Sequence, residues 1–121
     1  MRAIKIDPVS RTVTEINLAQ NPNKTLDEIY SIIGCNLVQM VYLDDEIVML
    51  CDEEGRLKPV LGAFTFLGNE DMVIAGTAVI LGNKRDSFRS LPEYLRSFEM
   101  ITEWIKPEDV PAPRHNIFAV V

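Results

Sequence analysis

The sequence predicts a single small α+β domain: a curved, mostly antiparallel sheet packed by two helices, with a C-terminal edge strand. Three observations predict it. Runs such as TVTEINL alternate along the chain with period two, as a half-buried strand requires. Two segments, starting at Thr25 and Ser90, place a glutamate three residues after a hydroxyl and then repeat apolar residues at helical spacing. Turn-forming clusters (DPVS, DDE, DEEG, NED) divide the remaining apolar runs into strand-sized pieces. A chain of 121 residues suits one domain. Residues 1–106 are expected to form it, with residues 107–121 as a tail packed on the same or a neighbouring subunit.

RAIKID opens as a short strand, setting Ala3 and, with a shift of face, Ile4 and Ile6 against Arg2 and Lys5. Asp7 and Pro8 suit the first two positions of a type I turn, so TVTEINL returns as the second arm of a hairpin. AQNPNK breaks the pattern. Thr25 and Glu28 then form a capping box, each able to satisfy the other's free backbone donor. Leu26, Ile29, Tyr30 and Ile33 share one helical face, and Gly34 stands where a left-handed residue closes the helix. A helix of about ten residues is marginal alone and must pack on the sheet.

NLVQMVYL and IVMLC read as two strands around the DDE turn, and DEEGRL as the next turn. In LKPVLGAFTFLG, Pro59 forbids a central ladder position and Gly62 suggests a bend or bulge. NED reads as a turn, and MVIAGTAVILG as one very hydrophobic strand with Gly76 in its middle. NKRDSFR is a polar link. Ser90 and Glu93 repeat the capping box, with Pro92 in the first helical turn, where proline loses little. The second helix is expected to reach about Ile105, with Leu91, Tyr94, Leu95, Phe98, Ile101 and Ile105 as its buried stripe. Pro107 stops it. PEDVPAPRH reads as extended, and NIFAVV as an edge strand or a cover for a neighbouring subunit. The expected order is β-β-α-β-β-β-β-α-β.

Eighteen acids against twelve bases give a formal charge of -6. Direct nucleic-acid binding needs positive surface, so the composition argues against it. Lys5 and Asp7 interrupt any N-terminal signal core, and the longest apolar run is too short to span a bilayer. A cytoplasmic location without membrane contact is expected. Cys35 and Cys51 have no close spacing and read as buried, reduced thiols. His115, the one histidine, lies among Pro113, Arg114 and Asn116 and cannot supply a histidine metal cluster. No GxGxxG or GxxxxGK cradle occurs, and no serine has a nucleophile-elbow context. The chain is therefore read as non-catalytic, with no cofactor.

Three groups remain as candidate sites. Asp44, Asp45 and Glu46 stand at one end of a strand, and Asp52, Glu53 and Glu54 at the other. The intervening strand rises about 20 Å, too far for one metal ion or one acid–base pair. These six either solvate two turns or form an acidic surface toward a partner. Lys84, Arg85 and Arg89, with Arg96 further on, precede or enter the second helix. They form either a solvated link, paired with Asp86 and Glu93, or a patch for a small anionic ligand. Met100 and Trp104 fall four apart on a helix flank outside the main stripe. With Ile117 and Phe118 in the tail, they are candidates for an interface with a second copy or another protein.

The stretches AIKIDPVSRTVTEI, IIGCNLVQMV, CDEEGRLKP and VIAGTAVILG resemble the DUF3846 family of small proteins of phages, plasmids and integrated elements. The likeness covers roughly residues 2 to 82. Its markers are the strand ending at Asp7-Pro8, Gly34 after the first helix, the Glu53-Glu54-Gly55 turn, and Gly76 and Gly82 in the late apolar strand. Many members carry an asparagine followed by basic residues and alanine after the Glu-Gly turn; here PVLGAFTF has neither. The resemblance implies a mobile-element protein acting inside a bacterial host, and no reaction. Three functions are consistent with these readings: a non-catalytic interaction protein, a domain binding a small anionic ligand or nucleotide signal, and an acidic DNA mimic.

Overall fold

A computed structural model describes residues 1–85, 87–92 and 95–111. Strands β1 (Arg2–Asp7) and β2 (Thr12–Asn17) pair antiparallel along their whole length. Asp7 shapes the turn between them: its Oδ1 accepts from the N–H of Val9 at 3.0 Å and of Ser10 at 3.3 Å.

Helix α1 (Pro22–Ile33) begins three residues before the expected cap. Asn21 is the N-cap, accepting from Asn23 N–H at 3.0 Å, and Pro22 opens the helix, where its missing N–H costs nothing. Thr25 lies one turn inside and is fully buried. Its hydroxyl donates to the carbonyl of Ala19 and, at 2.9 Å, to that of Asn21. Glu28 accepts the N–H of Ala19 at 2.9 Å. The residues expected to cap the helix instead fasten the loop before it. Gly34 closes the helix at φ 78, donating to Tyr30 O at 2.8 Å.

The chain continues as β3 (Val38–Tyr42), β4 (Ile47–Asp52), β5 (Ala63–Phe66), β6 (Asn69–Ala75), β7 (Ala78–Lys84), β8 (Ser87–Arg89), α2 (Leu95–Ile101) and β9 (Thr102–Ile105). The main sheet has the order β2-β1-β7-β4-β3, with β8 paired to β7; a second sheet has the order β6-β5-β9. All pairings are antiparallel. The result is one small α+β domain in which two helices pack a mostly antiparallel sheet, with the three-stranded sheet as an added layer.

Five expectations are corrected here. MVIAGTAVILG is two strands in different sheets: Gly76, at φ 91, turns the chain between β6 and β7. NED belongs to β6 and is no turn. NKRDSFR is the hairpin of β7 and β8, with Lys84 opposite Ser87 and Arg85 left-handed at φ 52. The second helix ends at Ile101, because Thr102–Ile105 pairs with β5. TEWI is β-branched and aromatic enough to accept a strand edge, and the Thr102 hydroxyl donates to Phe98 O at 2.6 Å at the junction. Ser90 is not a cap; its Oγ accepts the Arg2 N–H at 3.0 Å. Glu93, Tyr94, His115 and the expected NIFAVV strand lie outside the described residues.

Both faces of the main sheet are buried. On one, Ala3, Val48, Leu50, Val79 and Leu81 pack with Ile29 of α1 and with Leu18. On the other, Ile4, Ile6, Met49, Cys51 and Ile80 meet Phe64 and Phe66 of the second sheet and Phe98 of α2. Register lines up one row across four strands: Ile4 opposite Ile80, Ile80 opposite Met49, Met49 opposite Val41. Continuous burial of β4 and β7 follows, since alternate residues serve different layers. No helix among the described residues is long and apolar enough to cross a membrane.

Candidate functional site

Among the described residues, the last strand of the main sheet, β3, is paired only on its β4 side. Its sequence, VQMVY, has no charge and no proline, and its pairing with β4 runs unbroken from Val38–Asp52 to Tyr42–Val48. The other edge strands are defended. β2 carries Glu15 and has α2 beside it. β6 carries Glu70 and Asp71 and faces an irregular register; β8 carries Arg89 and β9 carries Glu103. Charges and bulges are the ordinary protection of an open edge, and β3 has neither.

The phase of β3 follows from two bonds flanking it. Leu37 O accepts Glu53 N–H at 3.1 Å, and Leu43 N–H donates to Ile47 O at 2.9 Å. In an antiparallel pair, alternate residues turn both backbone groups toward the partner. Gln39 and Val41 therefore face β4. Val38, Met40 and Tyr42 turn their N–H and C=O outward. Their side chains lie on the α1 side of the sheet, as the Met40–Leu50 register requires. Val38 is partly covered, whereas Met40 is 40% and Tyr42 58% exposed.

Both acidic groups of the sequence stand at the ends of this strand. At one end Asp44 Oδ1 accepts Glu46 N–H at 2.7 Å. At the other, Glu53 is tied to Leu37, Asp52 Oδ1 accepts Glu54 N–H at 2.9 Å, and Asp52 Oδ2 accepts from Lys58 Nζ at 2.7 Å. Asp44 and Asp52 thus shape turns, while Asp45, Glu46, Glu53 and Glu54 are exposed. Among the described residues, no three of His, Cys, Asp or Glu gather where they could hold a metal ion.

The basic candidates are dispersed. Lys84 and Arg89 share a hollow of about 210 Å³ with Glu46. Arg89 also lines a groove of about 910 Å³ between β8 and the start of α1. Arg85 sits in the β7–β8 turn, and Arg96 is exposed on α2. The helix end facing the groove has little to offer an anion. Pro22 has no N–H, Asn23 N–H is held by Asn21 Oδ1, and Thr25 N–H by Asn21 O. Met100 is 68% exposed on α2. Trp104 is on β9 opposite Phe64, half-buried against its own core, so the two do not share a helix flank. Ile117 and Phe118 lie outside the described residues.

The segments that carry the sequence resemblance converge at one end of the domain. Val9, Gly34, Asp52, Gly55 and Gly76 line a common hollow of about 270 Å³. Gly55 is there because backbones touch: a Cβ on it would lie 2.6 Å from Ala75 O. Burial, then Asp52, raises the thiol pKa of Cys35; burial, then Asp52 and Cys35, pushes Cys51 up to about 11. Both are poor nucleophiles in this state.

Neither the β3 edge nor the role of Lys58 stands out in the sequence. The signal for the edge was present, since VQMVY lacks any charge, but strand order was not. Lys58 was legible only as the second base after the Glu-Gly turn, behind Arg56.

Residues 1–105 match a family profile described as "Domain of unknown function (DUF3846)". "Uncharacterized protein y4iR" of Sinorhizobium fredii (strain NBRC 101917 / NGR234) is 30% identical over 79 residues, covering 65% of this chain and 47% of that protein. The chain thus spans about half the length of this curated relative. No solved structure matches.

Proposed function

The chain belongs to the DUF3846 family, and we propose that this member is a non-catalytic protein-interaction module that works through the β3 edge. One observation carries the reading: among the described residues β3 is an undefended strand edge, with Met40 and Tyr42 exposed beside outward backbone donors and acceptors. Adding a strand there satisfies the backbone and covers apolar side chains together. The resemblance to mobile-element proteins supports a host protein in the bacterial cytoplasm as the target. This reading moves the contact from the second helix and tail residues to the β3 edge.

The test compares three full-length proteins by co-purification from bacterial lysate. A partner retained by the wild type and by Met100→Glu, but lost with Met40→Pro, supports the β3 edge. A partner lost with Met100→Glu and retained by Met40→Pro places the contact on α2 and overturns it.

A further inference from the structure

We infer that the β3 edge takes an extended segment whose short apolar core is flanked on both sides by lysine or arginine. This rests on the edge being the contact surface and adds the chemistry of its occupant. Five residues of strand span about 16 Å. Asp45 is exposed in the turn that follows Tyr42, and at the other end Glu53, whose N–H donates to Leu37 O, and Glu54 are exposed; Glu46 instead faces β7, its carbonyl accepting Asn83 N–H at 2.8 Å. An incoming strand paired with Val38, Met40 and Tyr42 therefore carries its own ends past exposed carboxylates at both limits. Basic flanks meet opposite charge there, and acidic flanks meet like charge.

The same geometry disfavours a second copy of this chain. A two-fold antiparallel pairing of β3 with β3 sets Val38 against Tyr42 of the other copy. Each end then brings the Asp45–Glu46 turn of one copy against the Glu53–Glu54 turn of the other. Lys58, beside the Glu53–Glu54 turn, is already engaged by Asp52 at 2.7 Å, and Lys84 and Arg89 share their hollow with Glu46. The overall charge of -6 works in the same direction. Alternation sets the rest of the recognition. Alternate side chains of the segment pack against Met40 and Tyr42 on the α1 side, where small or β-branched residues fit the shelf.

The test uses fluorescence anisotropy with the full-length protein and labelled synthetic peptides. Each peptide has a valine–threonine core as long as β3, flanked by basic, uncharged or acidic residues. The basic peptide should bind about tenfold more tightly than the uncharged one, and added salt should erase the difference. Neutralising the ends with Asp45→Asn, Glu53→Gln and Glu54→Gln should reduce its affinity to that of the uncharged peptide. Met40→Pro should abolish binding of both. Equal binding of all three peptides, lost with Met40→Pro, overturns the basic preference while leaving the edge as the contact surface. Binding unaffected by Met40→Pro overturns both. A concentration-dependent dimer that Met40→Pro dissociates, with no peptide bound, makes a second copy the occupant and overturns the proposal.

Discussion

Lys58 Nζ lies 2.7 Å from Asp52 Oδ2, holding at the end of β4 a carboxylate whose side chain is only 11% exposed. The hydrogen bond to Asp52 raises the lysine pKa above its usual value. Asp52 in turn adds to the burial that suppresses ionisation of both thiols. This one pair links the acidic turn, the two cysteines and the β3 terminus.

Alkaline pH should therefore weaken the fold. Cys51 rises from 9.0 to about 11 on folding, so the folded state keeps a proton that the unfolded state releases. Stability from this thiol is intact below about pH 9 and falls as pH climbs toward about 11; Lys58 acts in the same direction. Urea unfolding at about pH 8 and about pH 10.5 should differ by roughly 1–3 kcal/mol. Cys51→Ala should flatten most of that slope. Equal slopes in the two proteins would refute the assignment to Cys51.

The phase of β3 makes a paired prediction. Met40→Pro removes an outward N–H and should cost less than about 1 kcal/mol, because edge positions tolerate proline. Val41→Pro removes a bond to β4 and should cost about 3 kcal/mol or more. Denaturation of the two variants side by side decides it; the reverse order would mean the strand faces the other way.

Glycine positions should separate by cause. Gly55→Ala meets Ala75 O at 2.6 Å and Gly62→Ala meets Pro8 O at 2.7 Å, so each should cost roughly 1–3 kcal/mol through displaced backbone. Gly34→Ala has open space but φ 78 and should cost about 1 kcal/mol from the left-handed conformation alone. Gly34→Asn should recover part of that loss, whereas Gly55→Asn should be worse than Gly55→Ala.

Leu91 anchors the approach to α2. It is fully buried, donates its N–H to Arg2 O at 2.9 Å, and its carbonyl accepts from the Arg2 guanidinium. Leu91→Ala should cost about 2–5 kcal/mol by cavity formation. Circular dichroism should show a cooperative transition at lower temperature with native secondary structure retained below it.

Most individual elements were readable because they depend on neighbours in the chain. The β1–β2 hairpin follows from alternation and the Asp7 turn. α1 follows from the spacing of Leu26, Ile29 and Ile33 with Gly34 at its end. The errors are just as local in origin. A period-two run such as MVIAGTAVILG looks continuous until Gly76 takes a positive φ. Thr25 and Glu28 satisfy the capping pattern, yet Asn21 and Pro22 make a better start.

Residue order alone dictated an α+β chain with two acidic turns, an early hairpin and buried thiols. These depend on composition, turn chemistry and side-chain period, all carried by short segments. Pairing partners belonged to the tertiary structure. It placed β6 and β7 in different sheets and drew TEWI out of the second helix onto β5. Among the described residues it also left β3 outermost, with Met40 and Tyr42 beside an open backbone. Strand order is a long-range choice among edges of similar local propensity, settled by which faces bury together. That choice set two ordinary acidic turns at the two ends of one outer strand.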